Sequence, residues 1–362
     1  MLNPRPAVDK IPAYHPPLAG RDGLRLDFNE NTVGCSPRVL SRLQNLTAED
    51  LARYPEREPV EAKVAEFLGI PPDKLLLTNG VDEAIHLLCQ TYLGPDDEAI
   101  IVVPTYSMYR IYMSSAGANV ISVPAGKDFE FPTNQVRDSI TDRTRMIAIA
   151  NPNNPTGTIS RPEDLLTIAR SAPRAAILID EAYYEFCGQT LLPRCNESPN
   201  IFITRTFSKA YGLAGLRIGA LVGDREQLRS IRRVSSPYNT NAVALACLPE
   251  AIADQKYIEN YVAEVRASRA TLESALRQHG IPFWLSEANF VLARVGPTAN
   301  DAKAFVDHMR QQGILVRDRS SDYNCQGCVR FTLGPRQHCD RVLSALARTI
   351  DHLSLTHGAS RS

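Results

Sequence analysis

Thr206-Phe207-Ser208-Lys209-Ala210-Tyr211-Gly212-Leu213-Ala214-Gly215-Leu216-Arg217-Ile218-Gly219 is the stretch on which the reading of the whole chain turns. One lysine follows two small hydroxyl residues, glycines come after it, and an arginine stands eight positions further on. An amine can condense with an aldehyde, hydroxyls and a guanidinium can take up a phosphate dianion, and glycines let backbone come close to a bulky ligand. Those are the needs of pyridoxal 5'-phosphate. A Ser-Lys pair on its own also suits an ordinary polar turn, so the flanking sequence has to decide.

On both sides of Lys209, short apolar runs alternate with helical stretches. Residues 75–78, 99–103, 119–123, 145–150, 175–179, 200–204 and 218–222 read as strands, and 36–51, 60–68, 84–92, 134–140 and a segment ending at Arg170 read as helices. Ser160-Arg161-Pro162-Glu163 has the form of a capping box for that last helix. Such alternation predicts an α/β fold, a mostly parallel sheet covered by helices on both faces. Polar clusters recur at the carboxyl ends of the strands: Asn79-Gly80-Val81-Asp82, Tyr106, Asn154, Asp180 with Tyr183, and Lys209. In open α/β sheets that edge carries the ligand crevice, so the clusters are expected to converge.

The chain has 362 residues, more than one core usually serves, and two domains are expected. Helices over 224–234 and 241–253 close the first, with a polar turn at Ser236-Pro237-Tyr238-Asn239-Thr240-Asn241 between them. A long amphipathic helix, 258–279, leads into a smaller α+β unit with strands at 290–293, 314–317 and 329–333 and helices at 300–312 and 336–353. The expected division is an N-terminal arm (1–36), a large domain (37–255), a small domain (256–355) and a polar, frayed tail (356–362).

Forty Lys and Arg against forty Asp and Glu give a formal net charge of zero. Binding to nucleic acid or to an anionic membrane through bulk charge is therefore not expected. No apolar run approaches the length of a membrane span, and the first residues lack the apolar centre of a signal peptide, so a cytoplasmic location is expected. Eight cysteines, at 35, 89, 187, 195, 247, 325, 328 and 339, fit reduced thiols there. Cys325-Gln326-Gly327-Cys328 has no second pair to make a zinc site and reads as a tight turn; no metal is expected.

With Asn154, Asp180, Tyr183, Lys209 and Arg217 in this order, nearly the whole chain resembles the fold-type I pyridoxal phosphate aminotransferases of class I/II. More narrowly it resembles the histidinol-phosphate aminotransferase family, on Leu26-Asp27-Phe28-Asn29-Glu30-Asn31, Arg53-Tyr54-Pro55, Gly80-Val81-Asp82-Glu83, Pro104-Thr105-Tyr106, Pro237-Tyr238-Asn239 and Val329-Arg330-Phe331-Thr332-Leu333-Gly334. The resemblance implies that Lys209 carries the cofactor and moves the substrate proton, and that Asp180 pairs with the ring nitrogen. It implies that Asn154 and Tyr183 bond the phenolate oxygen, that Tyr106 stacks on the ring, and that Thr206, Ser208, Arg217 and the N–H groups at Gly80, Val81 and Asp82 hold the phosphate. Tyr54 would reach the phosphate of a neighbouring subunit in a homodimer. Arg330 would grip the substrate's carboxylate or phosphate, with Tyr14, Asn29, Asn239 and Arg317 nearby. The implied reaction is transamination between histidinol phosphate and 2-oxoglutarate. Aromatic amino-acid transamination and decarboxylation of a phosphorylated amino acid are the alternatives on the same scaffold. A cofactor-sensing regulator would need a DNA-binding domain, for which the arm has neither room nor a basic cluster. Two positions depart from the family: Val81 replaces a frequent hydroxyl residue, and Pro335 a small polar one.

Overall fold

The computed structural model describes residues 2–13 and 20–359, with side chains to residue 353. Tyr14 lies outside the described residues. The strands are β1 (Leu24–Arg25), β2 (Leu75–Thr78), β3 (Glu98–Val103), β4 (Asn119–Pro124), β5 (Thr144–Ala150), β6 (Ala176–Asp180), β7 (Ile201–Thr206), β8 (Gly219–Val222), β9 (Phe283–Trp284), β10 (Phe290–Arg294), β11 (Ile314–Leu315), β12 (Arg317–Asp318) and β13 (Cys328–Thr332).

Seven of them form one sheet in the order β2-β8-β7-β6-β5-β3-β4. All run parallel except β8, which is antiparallel to both neighbours. Their sequences are apolar at nearly every position because helices cover both faces. Within β6, Ile177 and Ile179 enter one core and Ala176 and Leu178 the other, the two-residue period of a strand. The last residues of β6 and β7 and the turns that follow are polar, and they open at one edge of the sheet. Four strands, β12-β13-β10-β9, form a separate antiparallel sheet packed against the helices Ala299–Gln311 and Gln255–Gln278, on which the helix Arg336–Ala359 lies. The long helix Gln255–Gln278 precedes this sheet. Among the described residues no helix is long and apolar enough to cross a membrane.

The structure departs from the sequence reading in several places. Residues 36–51 form two helices, Pro37–Gln44 and Ala48–Ala52, because Thr47 makes a capping box with Asp50 and restarts the chain. The helix expected from 84 begins at Gly80. Ser160 caps nothing: Arg161 is the N-cap, without a side-chain bond, and the Ser160 N–H donates to Asn151 Oδ1 at 2.7 Å. The strand expected over 314–317 breaks at Val316 into β11 and β12, which join different sheets. The terminal helix continues to Ala359, so residues 356–359 are helix rather than a frayed tail. The arm is also more deeply built in than a surface strap. Leu24 and Leu26 are buried, and β1 pairs in parallel with β11. Cys325 to Cys328 is a tight turn, closed by the Cys328 N–H on the Cys325 carbonyl at 2.9 Å.

Candidate active site

A cavity of about 320 Å3 opens at the carboxyl edge of the parallel strands. Its deepest acid is Asp180, the last residue of β6 and only 5% exposed. Oδ2 accepts from the Tyr109 hydroxyl at 2.6 Å, and Oδ1 accepts from Thr204 Oγ1 at 2.9 Å. Thr204 is the register partner of Asp180 on β7, so one sheet pairing fixes both. Burial pushes the Asp180 carboxyl above its usual range, and the bonds from Tyr109 and Thr204 oppose this. A cation placed against it would relieve the cost of burying the carboxylate.

Lys209 sits in the turn after β7, and its Nζ donates to the Phe28 carbonyl at 3.1 Å. Burial first, then the Arg330 charge, lowers its amine to about 8. Thr206 and Ser208 line the cavity beside it. Arg217 adopts a left-handed backbone (φ 53°) and pairs with Asp82 Oδ2 at 3.0 Å. Asp82 Oδ1 accepts from the Tyr106 hydroxyl at 2.9 Å. Gly80 opens its helix with φ 73°, and a Cβ there would lie 2.6 Å from Arg217 Nη2. Glycine thus lets the guanidinium approach the helix N-terminus, where unbonded N–H groups favour an anion.

The opposite wall comes from the arm and the small sheet. Asn29 has φ 56°, and its Nδ2 donates to the Tyr183 hydroxyl at 2.9 Å. Arg330 Nη2 donates to the Asp27 carbonyl at 2.7 Å and Nη1 to Asn154 Oδ1, while its Nε is buried without a partner among the described residues. Burial, then Arg319, draws the Arg330 guanidinium down to about 9, so it stays cationic at neutral pH. Arg317 lies over the Phe28 ring at 5.2 Å and Arg21 over the same ring at 4.4 Å.

Of the residues read from the sequence, Asn29, Val81, Asp82, Tyr106, Asn154, Asp180, Tyr183, Thr206, Ser208, Lys209, Arg217, Arg317 and Arg330 line this cavity, with Gly80 packed behind Arg217. Asn239 does not. Its Nδ2 donates to Leu77 O and Glu83 Oε2, and its Oδ1 accepts from Arg57 Nη1, so the amide is spent on joining the turn to β2. Tyr54 is 76% exposed and stacks on Tyr238 with ring centroids 4.2 Å apart, away from this chain's own cavity. Sequence reasoning missed Tyr109, Thr204, Phe28, Arg21 and Arg319. Tyr109 stands one helical turn from Tyr106 and Thr204 two residues before Thr206, spacings that put each on its neighbour's face.

The residues present fit pyridoxal phosphate. A buried carboxylate awaits a cationic ring nitrogen, an amine is held near neutrality, and a glycine-opened helix end with Arg217 and two hydroxyls makes a phosphate cup.

The chain belongs to the aminotransferase class I and II family, whose sequence model matches residues 21–346. Its relatives within that family include histidinol-phosphate aminotransferases. That of Paracoccus denitrificans (strain Pd 1222) is 36% identical, covering 96% of each chain. That of Roseobacter denitrificans (strain ATCC 33942 / OCh 114) is 37% identical, covering 96% of this chain and 98% of its own. The fold is that of the fold-type I pyridoxal phosphate transferases. The histidinol-phosphate aminotransferase of Sinorhizobium meliloti, solved in complex with pyridoxal-5'-phosphate, superposes with a TM-score of 0.88 over 96% of this chain and 97% of its own, at 24% identity.

Proposed function

We propose that this chain transfers the amino group of L-histidinol phosphate to 2-oxoglutarate, giving imidazole-acetol phosphate and glutamate, a step of histidine biosynthesis. The observation that carries the reading is the pairing of a neutral-poised amine, Lys209, with an arginine wall suited to an anionic substrate, in a chain more than a third identical to enzymes of that name.

Bound at Lys209, pyridoxal phosphate supplies an electron sink that labilises the bonds at a substrate's amino carbon. Lys209 would take the proton from that carbon and hold it on Nζ; an amine near pKa 8 gives up and accepts protons readily at neutral pH. Asp180 would keep the ring nitrogen protonated by its buried charge. Tyr183 and the amide Nδ2 of Asn154, whose Oδ1 accepts from Arg330, would donate to the ring oxygen, and Tyr106 would pack on the ring. Arg330 would bind a carboxylate or a phosphate through its fork of donors. We further propose a cytoplasmic homodimer in which the exposed Tyr54 reaches the phosphate cup of the other copy.

The test follows the absorbance of the bound cofactor as single donors are added without a keto acid. Histidinol phosphate alone should convert the cofactor to its amine form, faster than phenylalanine does. Preference for phenylalanine would reassign the chain to aromatic donors, and carbon dioxide release from threonine phosphate would make it a decarboxylase. A visible band that survives unchanged in Lys209→Ala would overturn Lys209 as the residue that holds the cofactor, and the absence of any such band in the parent chain would overturn the cofactor assignment.

A further inference from the structure

We propose that Arg319, held in place by Asp322, is a specificity-determining residue that favours a phosphate monoester dianion over a carboxylate in the donor end of the cavity; this rests on the substrate reading above. The register of the small sheet carries it. Arg317 on β12 is directly opposite Arg330 on β13. Like charges facing each other across antiparallel strands destabilise the sheet unless an anion lies between them. Arg319 continues β12 by one ladder bond, its N–H donating to the Cys328 carbonyl at 2.9 Å. It stands two residues from Arg317, which in extended chain puts both side chains on one face. All three guanidinia line the cavity.

The other cations of the cavity are already balanced or assigned. Arg21 is paired with Asp27 and Glu30, and Arg217 with Asp82. Among the described residues Arg317 and Arg330 have no carboxylate partner, and Arg319 has only Asp322, which does not line the cavity. Three guanidinia less one carboxylate leave two positive charges, the complement of a phosphate monoester dianion and one more than a carboxylate brings. Two donors of this wall, Arg319 Nε and Arg330 Nε, are buried with no partner among the described residues. Asp322 is fixed by the turn it belongs to. Its N–H donates to Arg319 O at 2.9 Å, and its carbonyl accepts from the Cys325 N–H at 3.1 Å. The carboxylate is thus a tether that points Arg319 without occupying the site.

The experiment measures holoenzyme turnover of histidinol phosphate and of glutamate in separate half-reactions, together with inorganic phosphate as an inhibitor competing with glutamate. In Arg319→Gln, kcat/KM for histidinol phosphate should fall about tenfold or more and inhibition by phosphate should weaken similarly, while glutamate loses about threefold or less. Arg319→Lys should recover part of the loss, and Asp322→Asn, which keeps the guanidinium but frees it, should show a smaller loss for the phosphate ester alone. Equal losses for both donors, or no change with either phosphate species, would overturn the proposal. If the wild-type enzyme ignores histidinol phosphate while phosphate inhibition still weakens in Arg319→Gln, the substrate reading falls and the anion site stands.

Discussion

The two walls of the cavity hold charge in opposite ways. On the parallel-sheet side a single carboxylate, Asp180, is fully enclosed and both its oxygens are bonded to neighbouring secondary structure, Tyr109 and Thr204. On the small-sheet side three guanidinia face one cavity with one carboxylate among them. Asp180 is satisfied except for charge, and one cation completes it. The second wall is under-neutralised, and only a ligand's anion completes it. On the proposed reading, rigidity goes to the group that would hold one ring nitrogen through every turnover, and unspent charge to the side where substrates would exchange.

Breaking the comparison at its hinge should have the largest effect. Lys209→Ala removes the amine that serves both walls, and transamination should fall by more than about 10⁴-fold, read as loss of amine-form conversion in the half-reaction. Asp180→Asn attacks the first wall alone. Turnover should drop about 10²- to 10³-fold with both donors if, as proposed, the charge acts on the ring and not on the substrate; a loss confined to one donor would contradict that division. A third change asks whether stored charge elsewhere in the fold behaves like the second wall. Glu185 is half-buried near Glu181 and Arg205, its enclosed Oε2 has no hydrogen-bond partner among the described residues, and desolvation raises its carboxyl to about 7. A carboxyl raised from 4.5 in the unfolded chain favours the folded state while protonated. That contribution is whole below about pH 4.5 and is lost as pH rises through about 7, by a few kcal/mol. Denaturant melts of Glu185→Gln should therefore show a flatter decline between about pH 5 and 7.5 than the parent chain.

The sheet side was the more legible of the two walls. Asp180 ends β6 and Lys209 stands three residues past the end of β7, and strand ends in a parallel sheet share one edge, so linear order already places them. The arginine wall was legible only in part. Arg330 and Arg317 stood out by resemblance, but their cross-strand register and the tether of Arg319 depend on a hairpin whose pairing the sequence does not declare. Asn239 shows the converse failure. A polar turn looks like a ligand site until distant partners, here Leu77, Glu83 and Arg57, have claimed its amide. Ser160 failed in the same way, its backbone taken by Asn151 before any capping role arose.

The parallel pairing of β1 with β11 has a consequence for how the protein is made. Asn29 bonds Thr332, 303 residues away, and Lys209 leans on the carbonyl of Phe28. This segment thus has partners that are synthesised about 300 residues after it. The parallel sheet can gather as it emerges, but the arginine wall and the seat of the lysine wait for the final strands. Chemical competence is expected to arrive in one late event, after translation of the small sheet, rather than to grow with the length of the nascent chain.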